Sequence, residues 1–110
     1  MVGVVRARPE TRALLKRAMD EVASLAAALG ISLPTDIVAR TLAFLDGMPP
    51  DSTASMQRDV MEGRPSELEA INGAVVRIGR EAGVAVPVHE LIYASLLPQE
   101  IAARAAVAAR

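Results

Sequence analysis

One domain of about five to six α-helices is what this sequence predicts, an all-α fold, on three grounds. Apolar residues recur at helical spacing through most of the chain. The aromatic content is limited to Phe44 and Tyr93, so the core must be built from Leu, Ile, Val, Ala and Met. The one β-like run, "GVAVP" at 83–87, has no second strand to pair with. At 110 residues the chain is the size of a single modest domain. Its 52% apolar content sets it apart from a disordered chain.

The first strong helix spans 10–29. Leu15, Ala18, Val22, Leu25, Ala26 and Leu29 form one stripe, with Lys16–Asp20 and Arg17–Glu21 as i,i+4 ion pairs on the other side. Pro9 suits its first position, and Gly30 suits the left-handed residue that ends it. The eight or so residues before it carry no clear pattern. After "ISLP", Thr35 or Asp36 can cap a second helix whose inner face is Ile37, Val38, Thr41, Leu42 and Leu45, and "DGMPP" stops it. Ser52 or Thr53 starts a short third helix to about Met61, and "EGRP" breaks it. Pro65 and Ser66 open a fourth, to Ala82, with Leu68, Ile71, Val75 and Ile78 inward and Gly83 closing it. Pro87 starts a helix to about Leu97, and Pro98 is placed to begin another turn. The Ala-rich tail has high helix propensity but a weak stripe, which leaves it free to fray or to pack on a partner.

Composition removes several functions. A net charge of −1 gives no field toward nucleic acid or anionic lipid, and no basic recognition helix supports a DNA-binding reading. With no Cys and the single histidine His89, a protein-only zinc site is not expected. His89 itself, in the first turn after Pro87, reads as a capping or surface residue. No stretch has the length of a membrane span or the form of a signal peptide, so a soluble, cytoplasmic protein is expected. Ser-His-Asp, phosphate-loop and GxGxxG patterns are absent, which leaves this chain without the parts of a complete enzyme.

Polar residues concentrate in "SMQRDVMEGRPSELEAING", residues 55–73. Ser55, at the start of helix three, is either a water-facing helix-start residue or a hydroxyl placed to meet an anion. Asp59 lies four residues on, on the same face. Glu67, in the first turn after Pro65, is favoured there by the helix dipole; the functional alternative is a carboxylate that orients a proton donor. Asn72-Gly73 falls inside a continuing helix, where Gly costs up to ~1 kcal/mol relative to Ala. Either Gly73 admits a close neighbour or Asn72 presents its amide to a ligand or to a neighbouring domain.

The spacing of Ser55, Met56, Asp59, Gly63, Arg64, Glu67, Ile71, Asn72, Gly73, Gly83 and Pro87 resembles the signature of the C-terminal domain of ketopantoate reductases (2-dehydropantoate 2-reductases). Ser66 stands where Thr is usual. The resemblance implies the all-helical C-terminal domain of 6-phosphogluconate-dehydrogenase-like reductases, paired in the family with a Rossmann domain that binds NADPH. By it, Ser55 contacts the 2-oxoacid substrate and Glu67 assists the lysine that protonates the developing alkoxide; Asp59 and Asn72 join Ser55 as substrate-binding candidates from their own positions in the stretch. Lys16 lacks the asparagines that follow that lysine in the family, so the role does not carry over to it. The Rossmann domain and the lysine helix are expected to be missing from residues 1–110, making the chain an inactive fragment or a shortened relative. A stand-alone helical interaction module, homodimeric through the surface left uncovered, is the reading from another class.

Overall fold

Pro9 and Gly30 bracket the central helix as their backbones require. The computed structural model describes residues 1–110, with α1 at Val2–Ala7, α2 at Pro9–Ala28, α3 at Ile37–Asp46, α4 at Ser55–Met61, a π-helical turn at Glu69–Gly73, α5 at Ala74–Ala82 and α6 at Pro87–Ala108. There is no strand, and the all-α prediction holds. The central helix α2 packs against α1, α3, α5 and α6, while α6 also covers α5 and the π-turn. The apolar core is small: Leu25 and Ala26 of α2, Leu68, Val76 of α5, and Val86, Val88 and Ala103 at and along α6. Truncating Leu68, 1% exposed, to Ala would cost about 2–5 kcal/mol.

The first eight residues are not patternless. Residues 2–7 are helical, held by Val2 N–H to Ser52 O and Gly3 N–H to Pro50 O, both at 2.9 Å. Gly3 is required there, since a Cβ would stand 2.8 Å from Pro50. Arg6 donates to the carbonyls of Leu45 and Met48, each at 2.7 Å, satisfying groups at the end of α3. These contacts join positions some forty to fifty residues apart, which is why periodicity within the segment did not predict them.

Lys16–Asp20 pairs at 2.8 Å as predicted. Arg17–Glu21 does not pair. Glu21 is buried instead, and its carboxylate accepts from the amides of Val88 at 2.8 Å and His89 at 3.0 Å. It is a cap supplied from another helix, and it offsets its own burial by taking two of the free N–H groups of α6 at the positive end of that helix. Asp36 stands at the start of α3 without a capping bond and pairs with Arg40 at 3.3 Å. Helix α4 begins at Ser55, later than Ser52 or Thr53, because Ser52 is spent on Val2 and Thr53 Oγ1 accepts from Arg58 at 2.7 Å.

The predicted fourth helix differs most. Residues 69–73 form a π-turn in which Gly73 N–H reaches back five residues to Leu68 O at 2.9 Å. The extra residue rotates everything after it. Consequently the buried positions are Leu68, Asn72, Gly73, Val76 and Gly79, while Ile71 and Ile78 of the predicted stripe are 46% and 36% exposed. Gly73 lies under the Tyr93 ring, where a Cβ would meet Cε2 at 3.1 Å and the Glu69 carboxyl at 3.0 Å.

At the other end, α6 runs through Pro98 without stopping, and the tail is docked rather than frayed. Glu100, 6% exposed, accepts from Ser66 N–H at 2.9 and 3.1 Å, from Ser66 Oγ–H at 2.8 Å and from Arg104 Nε at 3.0 Å. Arg104 Nη2 also donates to Ser66 O at 3.0 Å. Burial alone would push the Glu100 carboxyl up, but the two Ser66 donors and Arg104 outweigh it and hold the group below its ordinary 4.5.

Two outcomes follow for stability. Because the folded-state value of Glu100 is depressed, its contribution is complete above the ordinary 4.5 and is lost as pH falls through the folded value. Urea unfolding should therefore find Glu100→Gln about 2 kcal/mol less stable near neutrality, with the gap closing in acid. Gly73→Ala should destabilise by about 1–3 kcal/mol in the same assay, against the higher helix propensity of Ala, because Tyr93 must move.

Candidate functional site

The stretch 55–73 folds as a helix, a tight turn and a π-turn. Gly63, at φ 70°, ends α4, and the chain reverses with Arg64 N–H bonded to Asp59 O at 2.8 Å. The Arg64 guanidinium then pairs with Asp59 at 3.0 Å and Glu62 at 2.6 Å. Asp59, its side chain 29% exposed, is thus ion-paired and not a free carboxylate.

Ser66 and Leu68 are both buried, at 6% and 1% exposed, and Glu67 between them is exposed and pairs with no cation. Its backbone is nonetheless fixed. Ser66 is gripped by Glu100 and Arg104, the Leu68 amide donates to Ser66 Oγ at 3.2 Å, and the Glu67 carbonyl accepts from Ile71 N–H at 2.9 Å. A carboxylate presented to solvent from an immobile turn suits a group that must meet a proton donor at a set position.

Across the π-turn, Tyr93 Oη–H donates to Glu69 at 2.5 Å and Arg77 pairs with the other Glu69 oxygen. The bond to Glu69 holds the phenol proton and, with partial burial and the carboxylate charge, raises the Tyr93 value.

Asn72 is turned inward. It is 8% exposed, and its Nδ2 donates to His89 Nδ1 at 3.2 Å. His89 Nε2 contacts Ala18 O at 2.9 Å; a carbonyl only accepts, so Nε2 carries the proton and Nδ1 receives the amide. His89, 7% exposed, is a core residue joining α2, the π-turn and α6, not a capping or surface one. The π-turn rotates the Asn72 amide toward α6 and into this bond.

Ser55 is exposed at the first position of α4, with no hydrogen bond linking it to Asp59 or Glu67. Sequence reasoning missed Glu21, Glu100 and Arg104. The last two had a signal: an i,i+4 Glu–Arg pair in a tail otherwise almost all alanine and aliphatic. No group of three or more His, Asp or Glu side chains converges as metal ligands, and no helix is long and apolar enough to cross a membrane. Nor do the residues present fit a dinucleotide. The positive-φ glycines Gly30, Gly63 and Gly83 all follow helix ends, and no strand leads into a helix N-terminus that would cradle a pyrophosphate.

The same layout occurs in known proteins. A 2-dehydropantoate 2-reductase of Pyrobaculum aerophilum is 33% identical over 91 residues, covering 83% of this chain and 32% of that one. Among solved structures, 2-dehydropantoate 2-reductase of Methylococcus capsulatus superposes with a TM-score of 0.79 at 37% identity, over 88% of this chain and 33% of that one. A dimeric ketopantoate reductase from Staphylococcus aureus, described as kinetically cooperative, gives 0.84 at 27% identity, over 91% and 35%. The chain therefore spans about one third of the length of the relatives it matches. Residues 1–100 match the family described as ketopantoate reductase PanE/ApbA C terminal, and the chain belongs to that family.

Proposed function

We propose that residues 1–110 are the substrate-side domain of an NADPH-dependent reductase that converts 2-dehydropantoate to pantoate, on the route to pantothenate and coenzyme A. The observation that carries this is Glu67, an exposed carboxylate in a fixed turn, in the register at which the family's glutamate stands. NADPH would supply the hydride from a Rossmann domain that these residues do not contain, and a lysine from outside them would be the proton donor. The residues of this chain have narrower tasks. Ser55 donates its hydroxyl proton to an oxygen of the 2-oxoacid. Glu67 accepts a hydrogen bond from the lysine ammonium and fixes its direction. Asp59, balanced by Arg64, shapes the wall without repelling an anionic substrate. The setting is cytoplasmic.

An accessible surface of 7176 Å² exceeds the roughly 5,800 Å² of a compact monomer of this mass. Leu14, Val22, Leu33 and Leu91 are among the apolar residues responsible. On this reading the rest of the reductase covers them. The same excess is the specific support for the second reading, a stand-alone module that pairs with another copy of itself.

With NADPH and 2-dehydropantoate the purified chain should show no cofactor oxidation above background, followed by the absorbance of the reduced nicotinamide. Titration with 2-dehydropantoate alone should shift the amide resonances of Ser55 and Glu67, and Ser55→Ala should weaken that response several-fold. Robust turnover by the chain alone would refute the fragment reading. A stable dimer in sedimentation with no ligand response would favour the second one.

A further inference from the structure

Glu67 is held where it is by residues that lie far from it in sequence, on the half of α6 beyond Pro98. We infer that Glu100 and Arg104 are positioning residues for Glu67: by gripping Ser66 they set the direction in which the Glu67 carboxylate is presented. This rests on the reductase reading of Glu67 and extends it to the C-terminal tail.

Three features of the clamp carry the inference. First, it is saturated on the turn side. Glu100 takes both donors of Ser66, Arg104 takes its carbonyl, and Ser66 Oγ in turn accepts from Leu68 N–H, so every polar group of Ser66 is engaged. Ser66 and Leu68 flank Glu67 directly, which leaves the backbone of Glu67 little freedom while its side chain stays in solvent.

Second, the grip is built around a buried carboxylate where an apolar contact would have served stability alone. A carboxylate 6% exposed needs donors of fixed geometry to offset its desolvation, and such donors define a position more narrowly than methyl groups do. Third, α6 touches the other side of the same turn. Tyr93, seven residues before Glu100 and so on the same face of α6, holds Glu69 just beyond Leu68. One rigid helix thus pins the chain on both sides of Glu67.

The 110-residue chain suffices for the test. Backbone ¹⁵N relaxation would be measured for wild type, Glu100→Gln, Arg104→Gln, Ser66→Ala and Ser66→Thr. Leu25→Ala, a core truncation in α2 away from the clamp, serves as the control for plain destabilisation. The Glu67 order parameter should fall from about 0.85 to below ~0.6 in Glu100→Gln, Arg104→Gln and Ser66→Ala. It should stay at the wild-type value in Ser66→Thr, which keeps the hydroxyl, and in Leu25→Ala at a comparable loss of Tm. An unchanged Glu67 in Glu100→Gln and Arg104→Gln overturns the inference, as does an equal loss of order in Leu25→Ala. If Glu100→Gln does not fold, Arg104→Gln reads the same turn with the Glu100–Ser66 bonds intact.

Titration with 2-dehydropantoate separates this inference from the reading beneath it. Shifts at Glu67 in wild type that disappear in Glu100→Gln are the expected result. Shifts that persist unchanged in Glu100→Gln sink the positioning role alone. Their absence in wild type sinks the substrate reading, and the positioning role with it.

Discussion

The carboxylate of Glu21, taken from the middle of α2 and set against the first free amides of α6, is the contact on which the rest of this chain depends. A buried carboxylate costs several kcal/mol unless it is well satisfied, and two backbone N–H donors at a helix N-terminus satisfy it. The contact fixes where α6 begins and how it is rotated. Every later appointment along that helix inherits the setting: His89 against Asn72 and Ala18, Tyr93 over Gly73, Glu100 on Ser66. A start displaced by one residue would turn all of them by about 100°.

The π-turn is the complementary constraint on the opposite strand of chain. It holds one more residue than an α-turn, and that residue swings Asn72 and Gly73 inward together. The small Gly73 lets Tyr93 approach, and the Asn72 amide supplies the donor that His89 Nδ1 accepts. Neither residue suits an ordinary helix interior, and both suit this one. The local irregularity lies just beyond Glu67, whose neighbours Ser66 and Leu68 are buried while it faces out.

Much of this was legible in the sequence where the determinants are local. Pro9, Gly30, Gly83 and Pro87 mark helix ends as the backbone dictates, and the structure uses all four. The signature residues that place the chain in its family also lie close together in sequence. What was not legible depends on contacts between distant segments. Nothing in residues 2–7 announces the bonds to Pro50 and Ser52, and a helical wheel cannot foresee the added residue that sends Ile71 and Ile78 outward. Charged side chains misled in one direction only. Glu21 reads as half of a surface ion pair and Glu100 escapes notice, since most glutamates are solvated, and only the fold shows that each has donors enough to be buried. For the candidate site, sequence singled out residues around Glu67 but not what holds them.

The chain is a plate, 47 × 36 × 21 Å, and its thinnest dimension is about two helix diameters. In a body so thin few side chains find an interior, and only 14 of 110 residues are buried, several of them polar groups held by hydrogen bonds. Such a structure releases little hydrocarbon to water when it melts. The heat capacity of unfolding tracks that release, so it should be small for the length of the chain, giving a shallow dependence of stability on temperature. Cooling should weaken this protein less than it weakens a thicker one of equal mass, because oil is the minor part of what holds it together.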